Sequence, residues 1–509
     1  MREPWDHLYR VNEGMTYEQN PYVYENTFIT AGVEEAPLPV YEDVKGKLPQ
    51  PVWEGHQDSI DCYYKAWEIA FSNLRKANPE AGFVSNFIDT AFNGFLFMWD
   101  TSFILMFGKY GSRIFNFQKT LDNMYSHQHH DGYICREICE TENGEHFFRH
   151  DPSSTGPNVM AWSEWVYYQN TGDKERVSRV FPVLLAYYQW LKANRTWPDG
   201  SYWSTGWGCG MDNVPRLQPG YHEMFSHGHM IWVDACIHQV ISGKILCKMA
   251  EILGRESDIE DIKKEIPWLT DLINNKLWDP ETSFYYDMWK DGTLNGVKSV
   301  GSYWALLADI VPEERLAPFV AHLNDEKSFK RPHRVPSLAA DHPEYSPEGS
   351  YWKGSVWAPT TYMVLKGLEE IKNYDLAYEI ARNHHDNVVK VFKNTGTLWE
   401  NYSPENGTQG NWSQPNFVGW SGLPAISVLF EHVMGIMPDG QNNKITWHVN
   451  LTEHHGIKNY PLGTEAVLDL DCEERASEDE KPVITVKSNV KATVEVIWRH
   501  GSFIIEAGE

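Results

Sequence analysis

The spacing between helices constrains this chain more than any other feature of it. Read for 3.6-residue periodicity, the sequence holds about twelve helical stretches, near 57–77, 101–110, 112–128, 155–170, 174–194, 229–254, 256–276, 301–310, 312–323, 357–371, 374–395 and 421–435. In 175–194, Val177, Val180, Phe181, Leu184, Leu185, Tyr188 and Leu191 fall on one apolar stripe. In 256–276, Ile259, Ile262, Ile266, Leu269 and Ile273 repeat the pattern. After the first helix, short and long links alternate. "GDK" at 172–174 and "VP" at 311–312 are short, whereas 78–100, 129–154, 195–228, 277–300, 324–356 and 396–420 are long. Short links make antiparallel helical hairpins. If every second link is short, all the long ones emerge on one face. Six such hairpins in a ring predict a mainly α fold, an (α/α)6 toroid crowned at one end by its long loops.

The toroid is expected over 57–437, since 509 residues exceed the ~250–300 that one simple core supports. Residues 1–56, rich in Pro, Tyr and Glu, read as an extended arm wrapping it. From 438 to 509 the pattern changes to alternating, β-branched segments such as "NKITWHVNL" and "ATVEVIWRHGSFIIEA". These predict a small antiparallel, sandwich-like β module.

A formal net charge of −26 argues against nucleic-acid and anionic membrane partners. No apolar run approaches the ~20 residues of a membrane span. The start, "MREPWDHLYR", lacks the apolar segment of a secretory signal. The expectation is a soluble protein, cytoplasmic or, had a leader been cut away, periplasmic. Seven cysteines without a C-x-x-C pair point away from zinc ribbons and thioredoxin-like sites. "HEMFSH" spaces its histidines five apart, where a helical zinc site needs i, i+4. No metal and no cofactor are expected.

Aromatic and polar residues crowd the long loops: "FNGFLFMWDTS", "HHDGYICREI", "GWGCGMDNVPR", "WDPETSFYYD", "SPEGSYWKGSVW" and "LWENYSPENGTQGNWSQPNF". Loops this long usually persist in compact domains because they function. Tryptophan, present 22 times, offers flat faces that suit sugar rings, with a Trp-rich core as the alternative. Carboxylates among aromatics are the equipment of glycoside hydrolysis, which needs one protonated acid and one ionised carboxylate. Asp212 is a candidate acid, its pKa raised by desolvation from Trp203 and Trp207. Glu400, in "LWENY", is a candidate base that stays ionised. The alternatives are a loop salt bridge from Asp212 to Arg216 and a solvated charge at Glu400. Trp203, Trp207, Trp412 and Trp420 are candidates for stacking on sugars or filling the loop layer. Tyr402 and Gln414 are candidate hydroxyl partners.

Seven segments across about residues 90–430 resemble, in order, a group of (α/α)6 glycoside hydrolases related to mannosyl-oligosaccharide glucosidases, trehalases and mannosylglycerate hydrolases. They are "FMWDTSF", "DGYICREI", "STGPNVMAWSEWVYYQNTGD", "GWGCGMDNVPR", "NNKLWDPETSFYYD", "YWKGSVWAPTTYMVLKGL" and "TLWENYSPENG". The resemblance implies inversion of anomeric configuration, with Asp212 as general acid and Glu400 as general base. It also implies that Trp99 and Asp100 contact the reacting sugar, and that Arg136, Asn213, Arg216, Trp352 and Trp357 line the pocket. No Gly-Gly-Arg signature precedes "FLFMWD", which points away from a trehalase proper. Relatives carry Arg where Lys353 stands, Pro at Cys135 and Ser at Val214. A lysine there changes how hydroxyls are recognised.

The resulting expectation is an inverting, exo-acting glycosidase that releases a terminal α-linked sugar from an oligosaccharide or glycoside. One competitor is a polysaccharide lyase using Arg136, Tyr351 and His333. The other is a non-catalytic sugar-binding protein that kept the scaffold.

Overall fold

The computed structural model describes residues 19–90, 94–141 and 144–508. The first eighteen residues of the expected arm, and Phe92 and Asn93 of the first loop cluster, lie outside the described residues. The fold is mainly helical. Its principal helices are α1 Gln57–Ser72, α2 Met98–Gly108, α3 Thr120–Ser126, α4 Met160–Thr171, α5 Lys174–Asn194 and α6 Val233–Leu253. They continue with α7 Glu260–Lys276, α8 Trp304–Leu307, α9 Glu313–Ala321, α10 Ala358–Glu370, α11 Tyr374–Thr395 and α12 Gly422–Ala425. Each expected helix has a counterpart here. The "GDK" link works as its residues dictate. Gly172 closes α4 at φ 69°, and the Asp173 side chain caps α5 by accepting from Arg176 N at 2.9 Å.

Three helices are much shorter than their periodicity predicts. The 112–128 stretch enters α3 through a 3-10 turn, Phe117–Lys119, and the 301–310 stretch enters α8 through another, Val300–Tyr303. The 421–435 stretch breaks after α12 and resumes as one wide π turn, Leu429–Val433. That turn carries Glu431, which is buried and accepts from Lys109 Nζ (2.7 Å), Tyr362 OH (2.8 Å) and Tyr110 OH (2.9 Å). A charge so placed must be paired to be tolerated, and that pairing overrides the regular helix.

Helices α2, α4, α6, α8, α10 and α12 each pack against the next, and α12 returns to α2. Outside them, α5 and α7 lean on α6, while α11 bridges α10, α12 and α1. Phe103, Trp162, Trp304 and Tyr362 fill the middle of the ring with ring-to-ring distances of 5.4–6.5 Å. Part of the tryptophan content therefore serves packing.

The long loops are tied together in neighbouring pairs. Phe95–Phe97 pairs with Glu137–Cys139, and Met230–Ile231 with Met288–Trp289. Val356 and Tyr402 exchange backbone hydrogen bonds at 2.8 and 3.0 Å. The crown is thus a continuous layer.

Strands β1 Gln50–Trp53, β2 Ile436–Asp439, β3 Lys444–His448, β4 His455–Leu462, β5 Ala466–Cys472, β6 Ile484–Ser488, β7 Ala492–Trp498 and β8 Gly501–Ala507 form two sheets. One runs β1-β4-β5-β6, antiparallel throughout. The other runs β2-β3-β7-β8, in which β3 and β7 pair in parallel and the rest antiparallel. Between β3 and β7 the chain visits the other sheet, so it returns in the same direction. Strand β1 comes from the expected arm, which is therefore stitched into the C-terminal sheet as well as resting on the helices through buried Phe28.

Candidate active site

The segment "GWGCGMDNVPR" is a glycine-punctuated turn, and the space around its glycines explains why. A Cβ on Gly206 would lie 2.3 Å from Asp212 O and 2.5 Å from Glu223 O. One on Gly210, whose φ is 75°, would lie 2.9 Å from the Trp99 ring. Without side chains at these points the turn folds back on itself and lays Asp212 beside Trp99.

Asp212 lines a cavity of about 250 Å³ that opens into the crown. Asp100, in the first turn of α2, and Glu400 line the same cavity. Trp99, Trp352, Phe97, Phe417 and Trp420 supply aromatic walls, and Thr90, Tyr351 and Gln414 supply polar ones. Glu400 is held at both oxygens: Oε1 accepts from Tyr351 OH and Oε2 from Gln414 N, each at 3.1 Å. Its backbone is anchored by Gln414, whose carbonyl accepts from Glu400 N at 2.9 Å, and by Trp420, whose indole N–H donates to Glu400 O at 2.7 Å.

Burial shifts all three carboxyls upward, to about 8 for Asp100, about 7 for Glu400 and about 6 for Asp212. Arg136 offsets part of the desolvation at Asp100 and Asp212. At Glu400 the offset comes from hydrogen bonds alone, donated by Gln414 N and Tyr351 OH. The expected order, with Asp212 the weaker acid and Glu400 ionised, is therefore reversed. The expected desolvating ring Trp203 is also elsewhere, under the Arg195 guanidinium and edge-on to His227; Trp99 and Trp352 stand in its place.

Among the sequence candidates, Trp99, Asp100, Asp212, Trp352, Glu400, Gln414 and Trp420 meet at the cavity. Arg136 and Trp207 are not among its lining residues; the Arg136 charge acts on Asp100 and Asp212, and its guanidinium carbon lies 5.4 Å from the Trp207 ring centre. The others do not line it either. Arg216 is buried between Asp234 and Asp287, donating to both carboxylates at 2.7–3.0 Å. Lys353 reaches away to Glu344 at 2.8 Å and Glu223 at 3.5 Å. Trp357 lies beneath Trp352, stacked at 4.0 Å, and Tyr402 is buried against Trp399 N. Trp412 projects outward, 71% exposed.

Asn213 acts on backbone. Its Oδ1 accepts from Trp352 N at 2.8 Å and its Nδ2 donates to Ser350 O at 3.1 Å. Ser350 and Tyr351 both have left-handed φ, 40° and 65°. A residue next to Asp212 thus holds the strained segment that aims Tyr351 at Glu400. The sequence reading assigned Tyr351 no part in a hydrolase site, and Thr90, Phe97 and Phe417 no part at all. The adjacency of Tyr351 to Trp352 was the available signal.

Of the groups a lyase would use, His333 is buried against His384 with its Nε2 2.8 Å from His384 Nδ1. Tyr351 spends its hydroxyl on Glu400. Among the described residues no cluster of His, Cys, Asp or Glu is arranged to hold a metal ion, and no helix is long and apolar enough to cross a membrane.

Residues 95–432 match the mannosylglycerate hydrolase MGH1-like glycoside hydrolase domain. The chain belongs to this family. It is 25% identical over 375 residues to an uncharacterized protein of Borreliella burgdorferi, covering 71% of this chain and 76% of that one. It is 26% identical over 287 residues to a probable mannosyl-oligosaccharide glucosidase of Schizosaccharomyces pombe, covering 50% of this chain but 34% of that one. The chain thus spans about a third of the fungal protein. The crystal structure of a GH63 mannosylglycerate hydrolase from Thermus thermophilus in complex with glucose superposes with a TM-score of 0.57 at 22% identity, covering 72% of this chain and 99% of that one. Membership makes this protein a glycoside hydrolase and places the three carboxyls within the matched region.

Proposed function

We propose that the chain is an inverting, exo-acting glycoside hydrolase that releases a terminal α-linked sugar. The observation that carries this is the meeting of Asp212 and Glu400 in one aromatic-walled cavity. At about 250 Å³ the cavity falls below the ~300–1,000 Å³ of sites for drug-sized ligands, which suits one sugar ring. Trp99 and Trp352 take the ring's apolar face and Asp100 its hydroxyls. Asp212 protonates the glycosidic oxygen. Glu400 takes a proton from a water, which attacks the anomeric carbon from the opposite face. Tyr351 OH and Gln414 N orient the Glu400 carboxylate and steady its charge in the reactive form.

The closed run α2-α4-α6-α8-α10-α12 and its outer partners support an (α/α)6 barrel over 57–437, carrying the β module of 438–509. Terminal glucose and mannose are the sugars suggested by the names of the relatives. The test is hydrolysis of aryl and disaccharide α-glucosides and α-mannosides, with the first-formed anomer read by proton NMR. Release of the β-anomer supports the mechanism; retention of the α-anomer refutes it.

A further inference from the structure

Trp357 is fully buried and is not among the residues that line the cavity. Three aromatic rings of the cavity wall nevertheless rest on it. Trp352 lies flat against its face, the planes 3° apart and the ring centres 4.0 Å apart. Tyr351 stands edge-on to it at 4.9 Å, and Trp420 edge-on at 5.6 Å. The indole Nε1 of Trp357 is buried with no acceptor among the described residues, so ring contacts rather than a hydrogen bond set its orientation. An unpaired buried N–H is costly, and a purely apolar side chain would avoid that cost. What the indole supplies here is a broad rigid face.

Two of its neighbours hold Glu400, one at each end of the residue. Tyr351 OH donates to Oε1 at 3.1 Å, and Trp420 Nε1 donates to the main-chain carbonyl at 2.7 Å. The third neighbour is tied to the acid's turn. Trp352 N donates to Asn213 Oδ1 at 2.8 Å, and Asn213 follows Asp212 in the chain. Trp357 therefore lies between the turn that carries Asp212 and the side chains that hold Glu400. It is itself anchored, capping α10 with its carbonyl accepting from Thr361 N at 3.0 Å. Tyr351, with φ of 65°, is a bulky residue in a left-handed conformation that its surroundings must enforce. The face of Trp357 is part of those surroundings, and a displacement of about 1 Å at a reacting group is enough to slow a reaction severely.

We infer that Trp357 is a positioning residue for the base, bracing Tyr351 and Trp420 so that the Glu400 carboxylate keeps a fixed place in the cavity. This rests on the reading of Glu400 as the base. The test measures kcat, KM and the pH profile of Trp357→Leu and Trp357→Phe, per folded molecule, on the aryl α-glycoside that the wild type hydrolyses. Trp357→Leu lowers kcat about tenfold, equivalent to ~1.4 kcal/mol and the size of one lost aromatic contact, and raises KM by less. The alkaline limb of its pH profile moves upward, because the Tyr351 hydroxyl no longer steadies Glu400. Trp357→Phe, which keeps a flat ring beneath Trp352, recovers most of both. Trp357→Met fills the volume without a flat face and reads the same loss should the leucine variant not fold. A rise in KM with kcat and limb unmoved would make Trp357 a support of Trp352 alone, and a lower Tm with both unmoved would make it a packing residue; either result overturns the inference. Full turnover by Glu400→Gln would instead sink the reading of the base itself. A crystal structure needs no turnover: if Tyr351 OH and Trp420 Nε1 keep their bonds to Glu400 in Trp357→Leu or Trp357→Met, the positioning role is refuted.

Discussion

Asn213→Ala separates a residue that holds the site from one that touches substrate. The substitution removes the acceptor of Trp352 N and the donor to Ser350 O. A buried N–H left unpaired costs about 1–3 kcal/mol. Left-handed residues such as Ser350 and Tyr351 store a further ~1–3 kcal/mol each and persist only while their surroundings enforce them. With its clamp gone, the segment relaxes and the Tyr351 hydroxyl leaves Glu400. A hydrogen bond to a charged group is worth about 1.5–3 kcal/mol, so kcat falls roughly ten- to hundredfold with a smaller change in KM. The loss also has a direction in pH. Tyr351 lowers the pKa of Glu400, so without it the value climbs above its present level of about 7; with Asp212 at about 6, the alkaline limb of activity moves to higher pH, the acid limb stays and the maximum falls. Tyr351→Phe should give the same shift with the backbone intact. The double variant should then be little worse than the poorer single, because both act through one hydrogen bond. Full activity with an unmoved alkaline limb in Asn213→Ala, or effects that multiply in the double variant, would refute the argument.

The reversed order of the two carboxyls also sets the pH profile. Activity requires Glu400 ionised and Asp212 protonated at once, a form that becomes scarcer as pH falls below about 6 and as it rises above about 7. The kcat/KM profile is a bell centred between these values, with a minority of molecules correctly protonated at the optimum, and a flat profile from pH 4 to 9 would contradict it. Because the folded-state pKa of Glu400 is raised from 4.5 to about 7, the native state loses stability as pH climbs through that window, by up to about 3 kcal/mol. Glu400→Gln should therefore abolish turnover yet raise Tm at pH 9, with little change at pH 4.5; an equal rise at both would remove titration as the cause. Arg216→Met leaves Asp234 and Asp287 buried without their cation. Urea unfolding should show a loss of about 3–5 kcal/mol, and a loss under 1 kcal/mol would mean that solvent reaches those carboxylates.

Helical periodicity and link lengths are local properties, carried by residues a few positions apart, and they were legible in the sequence. The stripe through Val177 and Leu191 and the Gly172–Asp173 cap needed no tertiary context. Nor did the crowding of Asp212 and Glu400 into long loops on one side. Where a loop side chain points is different, because it depends on which distant segment packs against it. Arg216 reads as a sugar contact until Asp234 and Asp287 arrive from α6 and the next loop to claim it. Asn213 reads the same way until Ser350 and Trp352 occupy both ends of its amide. The wide turn at Glu431 follows from Lys109 and Tyr362, far apart in the chain. The acidities of Asp212 and Glu400 follow first from burial, offset at Asp212 by the charge of Arg136 and at Glu400 by hydrogen bonds from Gln414 N and Tyr351 OH. The sequence by itself determined that carboxylates and aromatic rings would gather above a ring of helices. Only the tertiary structure decided which of them share a cavity and which proton each can hold, because burial and Coulomb interaction depend on distance in space and not along the chain.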